Sequence, residues 1–274
     1  VLQAWSNAYQ QLADILIGAE ARIYDEKAQA PGGWRGVRAF TLAAKVVESA
    51  EITSFYLRSA DGGPILDFAP GQFIGLQLHI DGIEMRRNYS LSAVADGNRY
   101  RISVKREPLG KVSNYLHDDV QVGDTLNLYA PSGEFVLAAS EKPLVLISGG
   151  VGITPTLAML EAALATSRPI HFIHCARNGG VHAFRDWVDD LAARHPQLKR
   201  FYCYAEEDGV SAAGDALGLL DQLQLEQWLP QERDLDAYFL GPKGFMASIK
   251  RQLLVAGVPE QQSRFEFFGP ASAL

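Results

Sequence analysis

Apolar side chains recur every three or four residues near the start of the chain, which is the spacing of one face of an α-helix. We therefore predict an amphipathic helix over Val1–Tyr24. The segment after it contains Pro31, Gly32, Gly33 and Gly36 and is predicted to be a linker. The apolar positions of the helix are Leu2, Trp5, Tyr9, Leu12, Ile15, Leu16 and Ile23.

From Phe40 to Tyr129 short apolar runs alternate with turn sequences such as Asp81-Gly82 and Asp96-Gly97-Asn98. Regularly spaced short strands of this kind predict an antiparallel β-barrel, interrupted here by one short helix near Ser113–Val120. The predicted strands are Phe40–Val47, Ile52–Arg58, Phe73–Ile80, Tyr89–Ala93, Tyr100–Val104 and Thr125–Tyr129.

After Pro143 apolar strands alternate with helical patterns, which predicts βαβ units and a doubly wound parallel sheet covered on both faces. We accordingly divide the chain into a terminal helix and linker (1–35), a barrel domain (36–141) and an α/β domain (142–274). The predicted strands of the α/β domain are Leu144–Ser148, Ile170–Cys175, Phe201–Ala205 and Tyr238–Leu240, and its predicted helices are Pro155–Ala165, His182–His195 and Phe245–Leu254.

The composition and net charge favour a soluble globular protein and argue against a nucleic-acid-binding one. Apolar residues make up 47% of the chain and charged residues 21%, which is typical of a soluble globular protein. The formal net charge of −7 argues against a nucleic-acid partner, which would require clustered Lys and Arg. No apolar run is long enough to span a bilayer. Contact with a membrane or lipid is left open, and no metal site is predicted.

The two cysteines, Cys175 and Cys203, lie in predicted strands. We expect free thiols in a reducing compartment, hence the cytoplasm, and a disulfide between neighbouring strands is the less favoured alternative. A plant-type iron–sulfur cluster needs four thiolates, so none is expected. The first residue is Val1 and no signal peptide is visible, so we expect a chain that begins inside a longer product or has been processed.

The first chemical motif is Arg87-Asn88-Tyr89-Ser90, placed at the start of a predicted barrel strand. Arg87 and Tyr89 would share one face, offering a cation for a phosphate and a ring for a flat heterocycle, while Ser90 would offer a hydrogen bond. Taken by itself, the tetrapeptide is better explained as an ordinary strand with a surface arginine.

The second motif is Gly110-Lys111-Val112-Ser113 at the start of the short helix. Ser113 is predicted to be the N-cap, and the glycine would let a diphosphate approach the backbone amides at the positive end of the helix. A plain capped helix explains the same residues equally well.

The third motif, Gly149-Gly150-Val151-Gly152-Ile153-Thr154-Pro155, follows a strand and opens a helix. Thr154 is predicted to be the N-cap and Pro155 the first helical residue. Glycines at such a junction allow close contact with a pyrophosphate, so nucleotide binding is favoured over a structural turn, although Pro155 replaces the third glycine of G-x-G-x-x-G.

Two further segments complete the set. Gly241-Pro242 and Gly244-Phe245-Met246 lie at another strand-to-helix junction. The carboxy-terminal run Phe265–Pro270 is aromatic, and read alone it is better explained as a docking strand than as a cofactor contact.

The order of these motifs resembles the ferredoxin-reductase superfamily from Phe40 to the end, and most closely the flavohaemoglobins. The amino-terminal helix, from Ala4-Trp5 to Ala13, resembles the last helix of their globin domain, whose haem-binding remainder is missing from this chain. The supporting sequences are Pro70-Gly71-Gln72-Phe73, Val104-Lys105-Arg106-Glu107, Val112-Ser113-Asn114-Tyr115-Leu116-His117 and Phe268-Gly269-Pro270.

The resemblance implies FAD and NADH or NADPH as cofactors. Arg87 would neutralise the FAD diphosphate, Tyr89 would pack on the isoalloxazine and Ser90 would bond near its reactive nitrogen. Glu266 would influence the flavin potential, and Phe268 would cover the flavin face that the nicotinamide must reach. Further implied contacts are Phe73, Asn88, Lys105 and Gly110, Lys111, Val112, Ser113 for FAD, Gly150, Val151, Gly152, Ile153, Thr154, Pro155, Gly241 and Pro242 for NAD(P)H, and Phe267, Gly269 and Pro270.

Three positions depart from the family pattern: Phe73 replaces a tyrosine, Leu240 a cysteine and Leu109 a glycine. Glu20 matches a glutamate that polarises the proximal histidine of the haem. Since that histidine is missing from this chain, a solvated helical glutamate is the better interpretation of Glu20.

The resemblance implies an enzyme that passes electrons from NAD(P)H through FAD to a haem, which in the complete flavohaemoglobin supports nitric oxide dioxygenation to nitrate. Carboxylates within Tyr204–Asp208 favour NADH over NADPH, because they repel a 2′-phosphate. The alternatives are a stand-alone flavin reductase that feeds a separate oxygenase or carrier, and a non-catalytic nucleotide-binding subunit.

Overall fold

The computed structural model describes residues 2–268, and the side chains of residues 2–4 and 20 lie outside that description. The first helix, α1, runs from Leu2 to Gln29, five residues beyond the predicted end at Tyr24. The additional residues are good helix formers, and the first glycine or proline after them is Pro31. Lys27 ties the end of α1 to the barrel, since its Nζ donates to the Pro131 carbonyl oxygen at 2.7 Å.

Helix α1 carries large apolar side chains that are exposed. Trp5, Tyr9 and Ile15 are 73%, 75% and 67% exposed, far more than large apolar side chains in a packed helix. Leu12, Leu16 and Ile17 are more than half exposed as well. The predicted amphipathic helix is confirmed, but its apolar side does not pack against the described part of the chain.

The barrel domain is a six-stranded antiparallel sheet with the order β4-β3-β6-β1-β2-β5. A helix, α2 (Lys111–Asp118), buries Val112 and Leu116 in the apolar core between the strands. The strands are β1 Val37–Val47, β2 Ile52–Ser59, β3 Phe73–Ile80, β4 Ile83–Ser90, β5 Tyr100–Lys105 and β6 Thr125–Tyr129.

One barrel strand differs from its prediction: β4 is Ile83–Ser90, whereas Tyr89–Ala93 was expected. Asp81 (φ 52°) and Gly82 (φ 74°) both lie in the left-handed region and form a tight hairpin turn that pairs Ile80 with Ile83. The pairing then continues through polar residues that carry no apolar alternation. Beyond Ser90, Leu91 makes only an isolated bridge.

The α/β domain is a six-stranded parallel sheet with the order β10-β9-β8-β7-β11-β12. The first strand of this domain, β7, lies at the centre of the sheet. The next strands, β8 to β10, are added on one side of it and β11 and β12 on the other, so the strand order reverses beside β7. The strands are β7 Leu144–Gly149, β8 Ile170–Ala176, β9 Leu198–Tyr204, β10 Ala216–Leu217, β11 Asp236–Leu240 and β12 Ser263–Phe265.

Helices cover both faces of this sheet and enclose two apolar clusters. The predicted fold class is confirmed. Helix α5 and the short strands β10 and β12 were not predicted. The helices are α3 Ile153–Ala163, α4 Arg185–Arg194, α5 Gln222–Trp228 and α6 Lys243–Val255, and single 3₁₀ turns span Gly150–Gly152, Gly179–Val181 and Glu260–Gln262.

The two cysteines are register partners on the neighbouring strands β8 and β9, and both are free thiols. Cys203 donates to the Gly218 carbonyl oxygen at 3.3 Å. A hydrogen bond to Cys203 raises the pKa of the Cys175 thiol, so Cys175 is protonated at neutral pH. The prediction of free thiols is confirmed and the disulfide alternative is wrong.

The two sheets meet along a packed boundary. The Ala50 amide donates to the Gly180 carbonyl oxygen at 3.1 Å, and the Val94 amide donates to the Glu161 carboxylate at 3.2 Å. Ile52 belongs to the apolar cluster of the α/β domain although it begins a barrel strand. Among residues 2–268, no helix is both long and apolar enough to cross a bilayer.

A buried ion triad joins three segments at the amino ends of the parallel strands. Asp236, the first residue of β11, contacts Arg168 at 3.0 Å and Arg264 of β12 at 2.9 Å. The side chains of Arg168 and Asp236 are only 2% and 5% exposed. Removing Asp236 would leave Arg168 buried without a counterion, whereas Arg264 is 36% exposed.

We expect Asp236→Asn to lower the free energy of unfolding by about 3–5 kcal/mol, because the buried Arg168 loses its counterion. Urea titration followed by circular dichroism measures the change. Asp234→Asn is the matched control, since Asp234 pairs with Lys142 at an exposed site and its loss should cost less than about 1 kcal/mol. Equal effects of the two substitutions would contradict the assignment.

Candidate functional site

The Arg87-Asn88-Tyr89-Ser90 motif lies at the carboxyl end of β4, not at the start of a strand as predicted. Tyr89 is half-buried against the barrel core, and Arg87, two residues before it, is exposed on the same face. Ser90 is buried and pairs in register with Phe73. Burial raises the pKa of Tyr89 to about 12, so its phenol remains neutral at physiological pH.

Phe73 and Asn88 lie on the opposite face of the β3–β4 hairpin from Arg87 and Tyr89. Both line a cavity of about 590 Å³ between the outer barrel face, the end of α1 and the linker. The side chains of the motif therefore point to two faces of the hairpin. Arg87 and Tyr89, the cation and ring predicted to contact FAD, lie on one face, and Asn88 lies on the other.

The first turn of α2 closes the open end of the barrel. Gly110 occupies the N-cap position, and Ser113 is the third helical residue, so the prediction of Ser113 as N-cap is wrong. Its hydroxyl instead donates to the Gly110 carbonyl oxygen and accepts from the Glu107 amide, at 3.0 and 3.1 Å. A Cβ on Gly110 would lie 2.3 Å from Ser113 Oγ, so only glycine fits this cradle.

The cradle and the Arg-Asn-Tyr-Ser strand are held in one frame. Lys111 Nζ contacts Asp81 Oδ2 at 2.8 Å, which ties the start of α2 to the turn between β3 and β4. Lys105, another predicted FAD contact, ends β5 and pairs with Glu107 at 3.2 Å, just before the cradle. These contacts fix the start of α2 against the β3–β4 turn and the end of β5, on the same barrel that carries Arg87 and Tyr89.

The glycine-rich turn follows β7 at the reversal of strand order. Gly150–Gly152 form a 3₁₀ turn that leads directly into α3 at Ile153, so Thr154 is not the N-cap and Pro155 is not the first helical residue. The Thr154 hydroxyl donates to the Val151 carbonyl oxygen at 3.1 Å. The predictions of Ser113 and Thr154 as N-caps fail for the same reason, because a glycine occupies the N-cap position of each helix: Gly110 for α2 and Gly152 for α3.

The turn after β11 packs against this first turn. A Cβ on Gly152 would lie 2.4 Å from the Leu240 carbonyl oxygen, and a Cβ on Gly149 would lie 3.0 Å from the Phe245 ring. Gly241, at the end of β11, approaches the same ring. Pro242 then caps α6. The two loops form one surface at the carboxyl ends of the central strands, where open α/β sheets bind nucleotides.

The carboxy-terminal segment adds an edge strand and an aromatic cluster. Phe265 of β12 lies 5.3 Å from Phe239 and 5.8 Å from Phe267, ring centre to ring centre, which supports the docking-strand interpretation. Glu266 is half-buried and Phe268 is 48% exposed. The predicted contacts Gly269 and Pro270 lie outside the described residues, as does the side chain of Glu20.

The glycine turn packs against the barrel close to the strand that carries the Arg87–Ser90 motif. The Gly150–Gly152 turn contacts β5, and β5 contacts β4, whose last residues are Tyr89 and Ser90. Helix α3 continues along the barrel, where Glu161 bonds Val94, four residues after Ser90. The fold thus brings the glycine turn near the end of β4, although the two motifs are separated by about sixty residues of sequence.

Comparison with known proteins agrees with this division. Residues 39–137 match the family model of the oxidoreductase FAD-binding domain, and residues 146–251 match that of the oxidoreductase NAD-binding domain. The whole chain is 71% identical to a flavohemoprotein of Pseudomonas putida and covers 70% of it. It is 64% identical to one of Pseudomonas aeruginosa, again covering 70% of that protein. The chain belongs to the flavohemoprotein family.

Solved structures of this family share the fold. The flavohem-like FAD/NAD binding domain of nitric oxide dioxygenase from Vibrio cholerae aligns over 85% of this chain and 99% of its own, with a TM-score of 0.78 and 38% identity. A flavohemoglobin from Malassezia yamatoensis, with bound FAD and heme, aligns over 97% of this chain and 68% of its own, with a TM-score of 0.84 and 25% identity. The predicted resemblance and enzyme class are confirmed.

Two residues that sequence reasoning missed lie on the domain boundary: Glu51 of the barrel and Arg177 of the α/β domain, 2.6 Å apart. They are 126 residues apart in sequence, so no local motif could have revealed the pair.

Gly152→Ala should weaken NADH binding by at least about tenfold, because the added methyl collides with the Leu240 carbonyl and displaces the turn. Isothermal titration calorimetry measures the change. Gly244→Ala, where a methyl meets open space, is the control and should bind NADH normally. Undiminished binding by Gly152→Ala would contradict the packing argument.

Burial raises the pKa of the Glu266 carboxyl in the folded chain, so its ionised form costs folding free energy at neutral pH. That cost disappears as the pH falls through the raised pKa towards that of the unfolded chain. Glu266→Gln should therefore raise the urea midpoint at neutral pH and lose this advantage in mild acid. Glu260→Gln is the matched control: it removes an exposed partner of Lys250 and should not raise the urea midpoint at neutral pH. A pH-independent effect of Glu266→Gln would contradict the account.

Proposed function

We propose that the chain carries electrons from NAD(P)H through bound FAD to a haem, and that in the complete flavohemoprotein this supports nitric oxide dioxygenation. One observation carries the proposal: the glycine turn beside β7 packs against the barrel next to the strand that ends in Tyr89 and Ser90. A dinucleotide on that turn and a flavin on that strand would share one cleft, which direct hydride transfer requires.

The barrel end fits FAD by shape and charge. The Gly110 cradle admits no side chain, and its helix amides suit a diphosphate. Arg87 would neutralise that diphosphate from the strand side, and neutral Tyr89 would lie against the isoalloxazine. Ser90, buried at the strand end, would donate a hydrogen bond to the flavin edge. When bound, FAD accepts a hydride and releases electrons one at a time.

The α/β domain fits the nicotinamide cofactor. Gly150–Pro155 would hold the pyrophosphate at the start of α3, and Gly241-Pro242 would border the nicotinamide. Phe268, half-exposed after the last strand, would cover the flavin until the nicotinamide displaces it. Glu266, half-buried with a raised pKa, would hold a proton near the flavin more readily than an exposed carboxyl.

For the acceptor we propose a haem-globin domain of the same polypeptide, packed on the exposed apolar face of α1. The Malassezia flavohemoglobin contains heme as well as FAD, and this chain spans 70% of its Pseudomonas putida relative. Each conversion of NO and O₂ to nitrate consumes one electron, so one NAD(P)H supports two turnovers. A stand-alone reductase would have no use for the apolar face of α1.

The remaining assignments are proposals of the same kind. We propose functional units at 1–35, 36–141 and 142–274, supported by the two sheets and the two matching family models. A cytoplasmic location is supported by the adjacent free thiols of Cys175 and Cys203. The net charge of −7 supports the absence of a nucleic-acid partner, and two cysteines are too few for a four-thiolate iron–sulfur cluster.

Arg87→Gln should weaken FAD binding by about tenfold or more, because a charge-assisted bond to the diphosphate is lost. Arg99→Gln is the matched control: it removes the same charge from an exposed arginine of the barrel domain that pairs with Asp96. Recovery of flavin fluorescence on dilution measures the affinity. Equal losses in both variants would place the diphosphate elsewhere.

The relay is tested on the complete flavohemoprotein mixed anaerobically with NADH in a stopped-flow spectrometer. We expect flavin bleaching followed by reduction of a haem band. Flavin bleaching without haem reduction would favour a reductase for a separate oxygenase or carrier. A yellow protein that NADH does not bleach would favour a non-catalytic nucleotide-binding subunit and would overturn the proposal.

A further inference from the structure

A positively charged residue directly follows β8, the strand that pairs with β7 beside the glycine turn. β8 stops at Ala176, and the next residue is Arg177. In doubly wound sheets, an acidic residue near the carboxyl end of this neighbouring strand binds the ribose 2′-hydroxyl of NAD, whereas an arginine nearby accommodates the 2′-phosphate of NADP. Arg177 alone would therefore favour NADPH, in conflict with the preference for NADH expected from the carboxylates of residues 204–208.

The surroundings of Arg177 remove this conflict. Its Nη2 lies 2.6 Å from Glu51 Oε1, and its Nε lies 3.8 Å from Glu206 Oε1. Glu51 belongs to the barrel, in the turn between β1 and β2, and Glu206 follows β9 of the α/β domain. We name these three residues the Arg177 cluster. Two carboxylates surround one guanidinium, so the cluster carries a net negative charge.

Glu51 is held in place by more than the ion pair. Its backbone carbonyl accepts from the Arg106 amide at 2.7 Å, and its second carboxylate oxygen lies 3.9 Å from Lys105 Nζ. The preceding residue, Ala50, bonds Gly180 across the domain boundary. The Glu51 side chain is only 29% exposed. The carboxylate is thus fixed beside Arg177 by the packing of the two domains.

Asp208, another carboxylate in the loop after β9, stabilises the loop and does not contact Arg177 in the described structure. Asp208 accepts hydrogen bonds from the amides of Gly180, Val210 and Ser211, at 2.8 to 3.1 Å. These bonds lower the pKa of Asp208 to about 2 and fix the loop against the turn after β8. Glu206 therefore contacts Arg177, while Asp208 shapes the loop around the cluster.

We propose that the Arg177 cluster makes this chain selective for NADH: Glu51 and Glu206 occupy the guanidinium that would otherwise bind the 2′-phosphate of NADPH. The inference rests on the proposed function, since it concerns the adenosine end of the same nucleotide site. A 2′-phosphate would find this guanidinium already paired and would face the Glu206 carboxylate, whereas a ribose 2′-hydroxyl can donate to that carboxylate. Selectivity thus depends on a residue supplied by the FAD-binding domain.

The test compares the affinities of NAD⁺ and NADP⁺ by isothermal titration calorimetry on the FAD-loaded chain. The double variant Glu51→Gln/Glu206→Gln should tighten NADP⁺ relative to NAD⁺ by about tenfold, and each single variant should shift the ratio by about threefold. The probe 2′,5′-ADP should gain affinity in the same order. The gain should shrink as salt is raised, because it is electrostatic.

Two further variants make the result specific. Glu48→Gln removes the same charge from the same β1–β2 turn, away from Arg177, and should leave the ratio unchanged. Adding Arg177→Gln to the double variant should abolish the gain for NADP⁺. A domain boundary loosened by the substitutions would weaken both nucleotides together, so the ratio separates selectivity from stability.

The outcomes are distinguishable. A double variant with the wild-type ratio, or a Glu48→Gln variant with an equal gain, would overturn the inference and leave the proposed function standing. A wild-type chain that prefers NADP⁺ would also overturn it. A wild-type chain that binds neither nucleotide would overturn the proposed function and the inference together.

Discussion

The close approach of two backbone turns at the centre of the parallel sheet is the contact on which the rest of this structure depends. Gly152 lies so near the Leu240 carbonyl that a methyl group has no room, and Phe245 fills the space over Gly149 and Gly241. This contact fixes the start of α3 and the start of α6 relative to each other. It also places the Gly150–Gly152 turn against β5 of the barrel.

The barrel supplies the second half of the cleft, and its packing against α3 sets the relation between the halves. Glu161 of α3 bonds the Val94 amide, and Ile52 of the barrel is buried in the core of the α/β domain. The two proposed nucleotide sites therefore lie on sheets that pack against each other. The same boundary places the Glu51 carboxylate beside Arg177, so a barrel residue contributes to the charge around the proposed dinucleotide site.

Much of this architecture follows from local sequence. The alternation of short apolar runs predicted the barrel, and strand–helix alternation with glycine turns predicted the parallel sheet at nearly the observed bounds. The errors have physical causes. β4 was misplaced because its middle is polar on both faces, and Ser113 and Thr154 were misassigned as caps because glycines needed for close approach occupy those positions. The Glu51–Arg177 pair joins distant segments, which only the tertiary fold brings together.

The most direct test of the shared cleft is a single-turnover reduction of this chain, loaded with FAD, by NADH deuterated at both C4 positions. Direct hydride transfer predicts that flavin bleaching and NADH oxidation proceed at one rate and that deuterium slows both together. NADH oxidation without flavin bleaching, or binding of both nucleotides with no bleaching, would contradict the proposal that the two sites share one cleft.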